Sequence, residues 1–242
     1  MNSAFFILML SVLAPVLGSL VGVWKRPTDK FMYEMLSFAA GVMLGISFLE
    51  LIPESIEFSS IWVCVIGIIT GSVVMYGVDR LLPHIHPEVC SQESGGNLNK
   101  TAIYLIVGIG LHNLPEGMAI AVGSVAESKT GLIVALAIAI HNIPEGICTS
   151  APYYRCSQNR MKAFLLSSAT AIPIVIGFLL AKYLFTIISI QLVGFLIAST
   201  AGLMIYICAD ELIPSSIGKI SDHKTVFSLI IGVVFVVLLG LL

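Results

Sequence analysis

Apolar residues in this chain neither alternate nor keep to one helical stripe; they run on. Stretches long enough to cross ~30 Å of hydrocarbon at 1.5 Å per residue occupy 4–24, 32–53, 61–82, 102–124, 131–151, 163–185, 191–213 and 226–242. The pattern predicts an all-α integral membrane protein with eight transmembrane helices. The polar stretches between them are short except at about 83–100, so the chain reads as a single transmembrane domain over 1–242. The first run follows Met1-Asn2-Ser3 with no basic leader and no small-residue cleavage pattern, and is expected to remain as the first helix. Composition excludes a soluble fold: 57% of residues are hydrophobic and 11% charged, with a mean hydropathy of +1.02, against about a quarter charged in soluble domains.

Net charge, −2, says little, but its placement orients the chain. With both termini extracytoplasmic, the cytoplasmic connections hold Lys25, Arg26, Lys30, Arg80, Lys100, Arg155, Arg160, Lys162, Lys219 and Lys224. Only Lys129 and Lys182 fall opposite, the bias that the positive-inside rule requires. The segment 83–100 is then cytoplasmic, and the expected location is the cell membrane (plasma or inner), multi-pass, with the lipid bilayer as solvent. Five cysteines with no Cys-x-x-Cys spacing, Cys64, Cys148 and Cys208 in helices and Cys90 and Cys156 in cytoplasmic loops, suggest no disulfide framework. No nucleic-acid partner is expected. Gly67 and Gly71, at membrane-helix spacing on the third run, fit either a homodimer or packing within one chain.

Two internal repeats stand out. The fourth run contains His112-Asn113-Leu114-Pro115-Glu116-Gly117 and the fifth His141-Asn142-Ile143-Pro144-Glu145-Gly146. The second run ends Glu50-Leu51-Ile52-Pro53 and the seventh Glu211-Leu212-Ile213-Pro214. Under the charge-derived orientation the members of each pair run in opposite senses. This suggests a 3+2+3 inverted-repeat bundle, the build of alternating-access carriers, whose sites lie near the midplane on interrupted helices.

Ionisable side chains in mid-membrane are costly, and by default they mark a functional site. With His112 at 0°, Glu116 falls at about 40° and Asn113 at about 100° around a helix, so all three share one face. The same holds for His141, Asn142 and Glu145. Pro115 and Pro144 each remove a donor from a mid-membrane carbonyl. Imidazole, carboxylate and amide oxygen together suit borderline divalent ions such as Zn²⁺, Fe²⁺, Mn²⁺ or Cd²⁺. Two carboxylates balance one dication, and in its absence they compete for protons. The metal is read as cargo, so no resident cofactor is expected.

At these residues the sequence resembles the ZIP (zinc/iron permease) family, closest to its bacterial zinc-uptake branch. The resemblance covers essentially the whole chain and is carried by the Gly41 to Pro53 segment, both His-Asn-x-Pro-Glu-Gly motifs, and Ala201 to Tyr206 running into Glu211 to Pro214. It implies eight helices with both termini outside and uptake of divalent metal into the cytoplasm. The implied metal residues are His112, Asn113, Glu116, His141, Asn142 and Glu145, with the Met43 thioether beside them and Glu50 and Glu211 as carboxylates near opposite mouths. One departure stands at Ala171-Ile172-Pro173, where the family often carries Glu-Pro serving a second metal. One tight ion is therefore expected, and Ile172→Glu is expected to add a weaker second. The loop residues His84, His86 and Cys90 fall short of a closed four-ligand site and read as part of a solvated linker.

Rival classes are less consistent with the residues. An intramembrane metal-dependent hydrolase lacks its His-Glu-x-x-His signature and a spare general base, so no enzyme is expected. No Gly-x-x-x-x-Gly-Lys-Ser/Thr loop exists to bind ATP. A metal-selective channel or an exporter of the same fold would use the same ligands. The topology is checked by labelling cysteines introduced at either terminus and within 83–100 with a membrane-impermeant reagent in intact cells. Labelling is expected at the termini and not in the loop.

Overall fold

Without water in the hydrocarbon, each backbone N–H and C=O must be satisfied within its own segment, and helices do this for long apolar runs. The computed structural model describes residues 3–24, 28–81, 113–121, 128–184, 187, 189–217 and 223–241, and every regular element among them is helical. In chain order these are α1 (Ser3–Trp24), α2 (Asp29–Ile46), α3 (Ile52–Phe58), α4 (Ile61–Leu81), α5 (113–121), α6 (Ser128–Ser157), α7 (Arg160–Ser168), α8 (Ala171–Leu184), α9 (Ile190–Ile207), α10 (Ile213–Ile217) and α11 (Lys224–Leu239). A wide π-helical turn, Ser47–Leu51, joins α2 to α3, and another, Cys208–Leu212, joins α9 to α10.

Among the described residues, Lys30–Phe58, Ile61–Arg80, Arg160–Leu184 and Ile190–Leu212 are long and apolar enough to span a membrane. Leu8–Trp24 and Lys224–Leu239 are shorter apolar helices. The loop residues His84, His86 and Cys90, and His112 with most of the fourth run, lie outside the described residues.

Side-chain caps start several of these helices: Thr28 accepts from the Phe31 N–H (3.3 Å), Asn159 from Lys162 (3.0 Å) and Ser189 from Leu192 (3.4 Å). Two boundaries depart from the hydropathy reading. The second run's helix continues through Phe58, five residues past its expected end. The helix α6 outruns its apolar stretch by two turns, so Cys156, expected in a loop, is helical. Packing extends it: Tyr153 and Tyr154 are buried with Val23 and Ala163, and Arg160 Nε donates to the Tyr154 hydroxyl at 2.9 Å.

Helix contacts fall into two sets. In one, α6 lies along α1, and α7 and α8 also reach α1. There the backbones nearly touch, for a Cβ on Gly146 would stand 2.3 Å from the Pro15 carbonyl oxygen and one on Gly18 2.1 Å from that of Ile143. The short described part of α5 crosses α8 in the same manner through Gly117 and Gly177. In the other set, α11 lies along α2, and α9 along α4. Gly41 and Gly232 make the first of these crossings, Gly71 and Gly202 the second. Small residues permit such approaches, and dispersion then acts backbone to backbone. Gly67 and Gly71 thus serve packing within the chain, against Phe195, Ala198 and Ser199.

The crossings come in pairs: α6 on α1 matches α5 on α8, and α2 on α11 matches α9 on α4. Contact between α2 and α6 joins the two sets. Within the first set a buried knot of hydroxyls ties three helices. Ser19 of α1 bonds to Ser167 of α7 at 2.6 Å, and Ser167 to Thr149 of α6. The Gly146 carbonyl accepts from Thr149 (3.1 Å) and Ser150 (2.7 Å).

A methyl group at Gly146 has no room, whereas Gly77 has nothing within 4 Å. Gly146→Ala is expected to lower the thermal midpoint of the detergent-solubilised protein by about 5 °C or more, an overpacking cost of about 1–3 kcal/mol. Gly77→Ala is expected to leave it unchanged, and a thermal-shift assay compares the two.

Candidate metal centre

Two motif helices bring their acidic residues together. Ligand atoms of Glu116 on α5 and of His141 and Glu145 on α6 all lie within 4.8 Å of one another. Glu116 and His141 are wholly buried, as are both carboxylate oxygens of Glu145. At that separation and an effective dielectric near 20, two carboxylates repel by roughly 3 kcal/mol. A divalent cation between them turns that repulsion into attraction.

The histidine is set for such a cation. His141 Nδ1 faces the Ala137 carbonyl one turn back at 3.2 Å, a contact in which Nδ1–H donates. In the neutral ring this leaves Nε2 as an acceptor, and at 3.0 Å from Glu116 Oε1 the two atoms need a proton or a metal ion between them. Two donor atoms at that spacing fit adjacent positions around an ion held at about 2 Å from each.

The two motif asparagines, equivalent in sequence, differ in the structure. Asn113 donates from Nδ2 to the Thr170 carbonyl at 2.8 Å, tying α5 to the turn between α7 and α8. Its Oδ1 is buried without a hydrogen bond. Asn142, one residue past His141, has both amide atoms buried and unbonded. A buried polar atom left unpaired costs roughly 1–3 kcal/mol. The unpaired oxygens of Asn113 and Glu145 therefore favour a cation or water beside them. The donor set, nitrogen with hard oxygens, matches a borderline dication.

The other predicted positions fall as follows. Met43 is wholly buried in the apolar core with Ile46, Ile120 and Ile174. Glu50 is half-buried in the first wide turn. Glu211 is exposed in the second and lies within electrostatic reach of Glu145. Ile172 is 59% exposed while Ala171 and Ile174 beside it are buried. A glutamate there would start from the outer side of α8, and the nearby group that α5 does engage is the Thr170 carbonyl.

Hydropathy gave no sign of Thr170 or of two thiols near the carboxylates. Cys148, whose Sγ donates to the Met32 carbonyl at 3.4 Å, is within electrostatic reach of Glu145. Cys208 is within reach of both Glu116 and Glu211. The helical spacing of Cys148 from Glu145 was the available signal for the first. The second needed the tertiary fold.

Residues 1–102 and 88–240 match the family model described as ZIP Zinc transporter. "Zinc transporter ZupT" of Chlorobium luteolum is 34% identical to the chain over 253 residues, covering 96% of this chain and 94% of that protein. Proteins of the same name from Salmonella paratyphi A and Salmonella newport are each 33% identical over 223 residues, covering 88% of this chain and 86% of theirs.

Replacing Glu145 by Gln keeps the shape of the side chain and removes one charge. Zn²⁺ affinity of the purified protein is expected to fall at least about tenfold, since a lost carboxylate–dication contact in a poorly hydrated site exceeds about 1.4 kcal/mol. Isothermal calorimetry measures it, with the melting profile as the check on fold.

Proposed function

Because the chain belongs to the ZIP zinc-transporter family, we propose that it is a secondary or facilitative carrier that moves divalent metal ions, Zn²⁺ foremost, into the cytoplasm. The buried Glu116–His141–Glu145 cluster carries this reading: its donor atoms converge within 4.8 Å on helices that also bear the doubled motif. Fe²⁺, Mn²⁺ and Cd²⁺ suit the same donors. Asn113 and Asn142 add amide oxygens, and His112 of the fourth run, one residue before Asn113, completes the motif set. Met43 borders the site from α2 as a soft neighbour. Glu50 and Glu211 act near opposite ends of the pathway.

The proposed frame has eight transmembrane helices, both termini extracytoplasmic and the 83–100 loop inside the cell membrane's cytoplasmic face. The basic-residue bias supports that orientation, and the paired glycine crossings support an inverted repeat of the first three helices and the last three about the central two. A site between the central pair can be opened to either side by moving one packed set against the other, with the ion held by the same ligands throughout. Because those ligands bind metal only when deprotonated, proton and metal binding compete there.

Uptake of radioactive Zn²⁺ into proteoliposomes tests the reading. Uptake by the unmodified protein and its loss, by about a hundredfold or more, in both Glu116→Ala and Glu145→Ala is the expected result, given that each change removes a ligand worth on the order of 3 kcal/mol. Both variants are expected to stay folded in the membrane, since removing a buried charge also removes its desolvation cost. Uptake at the normal rate in either variant places the site elsewhere.

A further inference from the structure

The two wide turns hold no member of the metal cluster, yet they occur at the same register in both halves of the chain. Each spans five residues, Ser47–Leu51 and Cys208–Leu212, and each is closed by an N–H bonding five residues back, Ile52 to the Ser47 oxygen and Ile213 to the Cys208 oxygen. In both, the fourth residue is a glutamate, Glu50 or Glu211, and a proline, Pro53 or Pro214, follows two residues beyond the turn.

The proline favours the widening, although Pro15 and Pro144 lie within α1 and α6 without one. A proline ring collides with the carbonyl four residues back, here Leu49 or Asp210, and offers it no N–H. One extra residue in the turn moves that carbonyl aside, as wide turns inside α-helices do. A carbonyl is left over in each case. The Phe48 oxygen has no α-type donor, because Ile52 N–H is taken by Ser47, and no π-type donor, because Pro53 has none. Ala209 stands in the same position before Ile213 and Pro214.

An inserted residue also turns everything beyond it by ~100° against an uninterrupted helix. What it turns is the face on which each glutamate emerges. The turns are pinned in place: Ser47, Leu51, Cys208 and Leu212 are buried, Ser47 Oγ donates to the Met43 carbonyl at 2.9 Å, and Cys208 Sγ to that of Ala40 at 3.7 Å. Their packing is exchanged between halves, the first turn lying against α9 and the second against α2. The second turn also bridges centre and mouth, since Cys208 at its start is within electrostatic reach of Glu116 and Glu211 at once.

We propose that Pro53 and Pro214 are positioning residues, which hold the two wide turns open and so aim Glu50 and Glu211 into the ion pathway, one in each half of the molecule. Its meaning for transport rests on the reading of the chain as a metal carrier; its claim about aim does not.

Two measurements separate the parts. In the first, Glu211→Cys is labelled with a water-soluble maleimide, with and without Pro214→Ala, after subtracting labelling of the parent protein. The rate is expected to drop about tenfold in the double variant, and an unchanged rate overturns the proposal whether or not the protein transports. In the second, Zn²⁺ uptake is measured for Pro214→Ala, Glu211→Gln and their combination. Each single change is expected to slow initial uptake about tenfold, with the combination within about twofold of the slower single variant, because a misaimed carboxylate has nothing left to lose. Multiplication to about a hundredfold overturns the proposal and leaves the prolines as independent structural kinks. If Pro214→Ala fails to assemble in the membrane, Pro53→Ala with Glu50→Cys and Glu50→Gln carries both measurements in the other half. No uptake by the unmodified protein defeats the carrier reading alone, and the labelling result still decides the aim.

Discussion

Two carboxylates, Glu116 and Glu145, share a buried site with one imidazole, and the protein around them makes sense as the means of keeping them there. Left to themselves the groups repel in a medium that solvates charge poorly. The helices holding them must therefore be fixed by their own close packing against neighbours. The glycine that closes each motif provides one such contact. Gly117 presses on α8 at the Ile174 carbonyl and Gly146 on α1 at the Pro15 carbonyl, so each acidic residue sits one position before a backbone-to-backbone contact. Ligand position and helix packing are set by adjacent residues.

This arrangement also separates ion binding from the frame. The α2–α11 and α4–α9 crossings contain no member of the buried Glu–His–Glu cluster, while α5 and α6 carry all three. Among the described residues, contact between the two sets runs chiefly through α2 and α6. The wide turns lie on the set that carries no member of the cluster.

Hydropathy made most of the helices legible, because a run of apolar residues reports the solvent a segment needs. It could not report winding, so the wide turns at Ser47–Leu51 and Cys208–Leu212 went unread, although Glu-Leu-Ile-Pro recurred in plain view. It also placed the end of α6 too early, since the last turns are held by Tyr153 and Tyr154 packing on Val23 and not by apolar content. Of the site, Glu116, His141 and Glu145 followed from face geometry on two helices. The different surroundings of Asn113 and Asn142 did not, for a symmetric motif carries no information about which copy meets the Thr170 carbonyl. The outward turn of Ile172 was hidden for the same reason: alignment to a pattern gives a position in the chain and not a direction in space.

The hydroxyl knot of Ser19, Thr149 and Ser167 has a consequence for how this chain can vary. Ser167 stands between the other two, which also donate to backbone carbonyls, Ser19 to Pro15 and Thr149 to Gly146, so replacing Ser167 by an apolar group removes a buried partner from both at once, at roughly 1–3 kcal/mol. Replacing all three by small apolar residues removes the mismatch altogether. Drift at these positions is therefore expected to be led by Ser167, with its exchange alone as the poorly tolerated intermediate and concerted change across α1, α6 and α7 as the easier route, so that three residues distant in the chain tend to be inherited together.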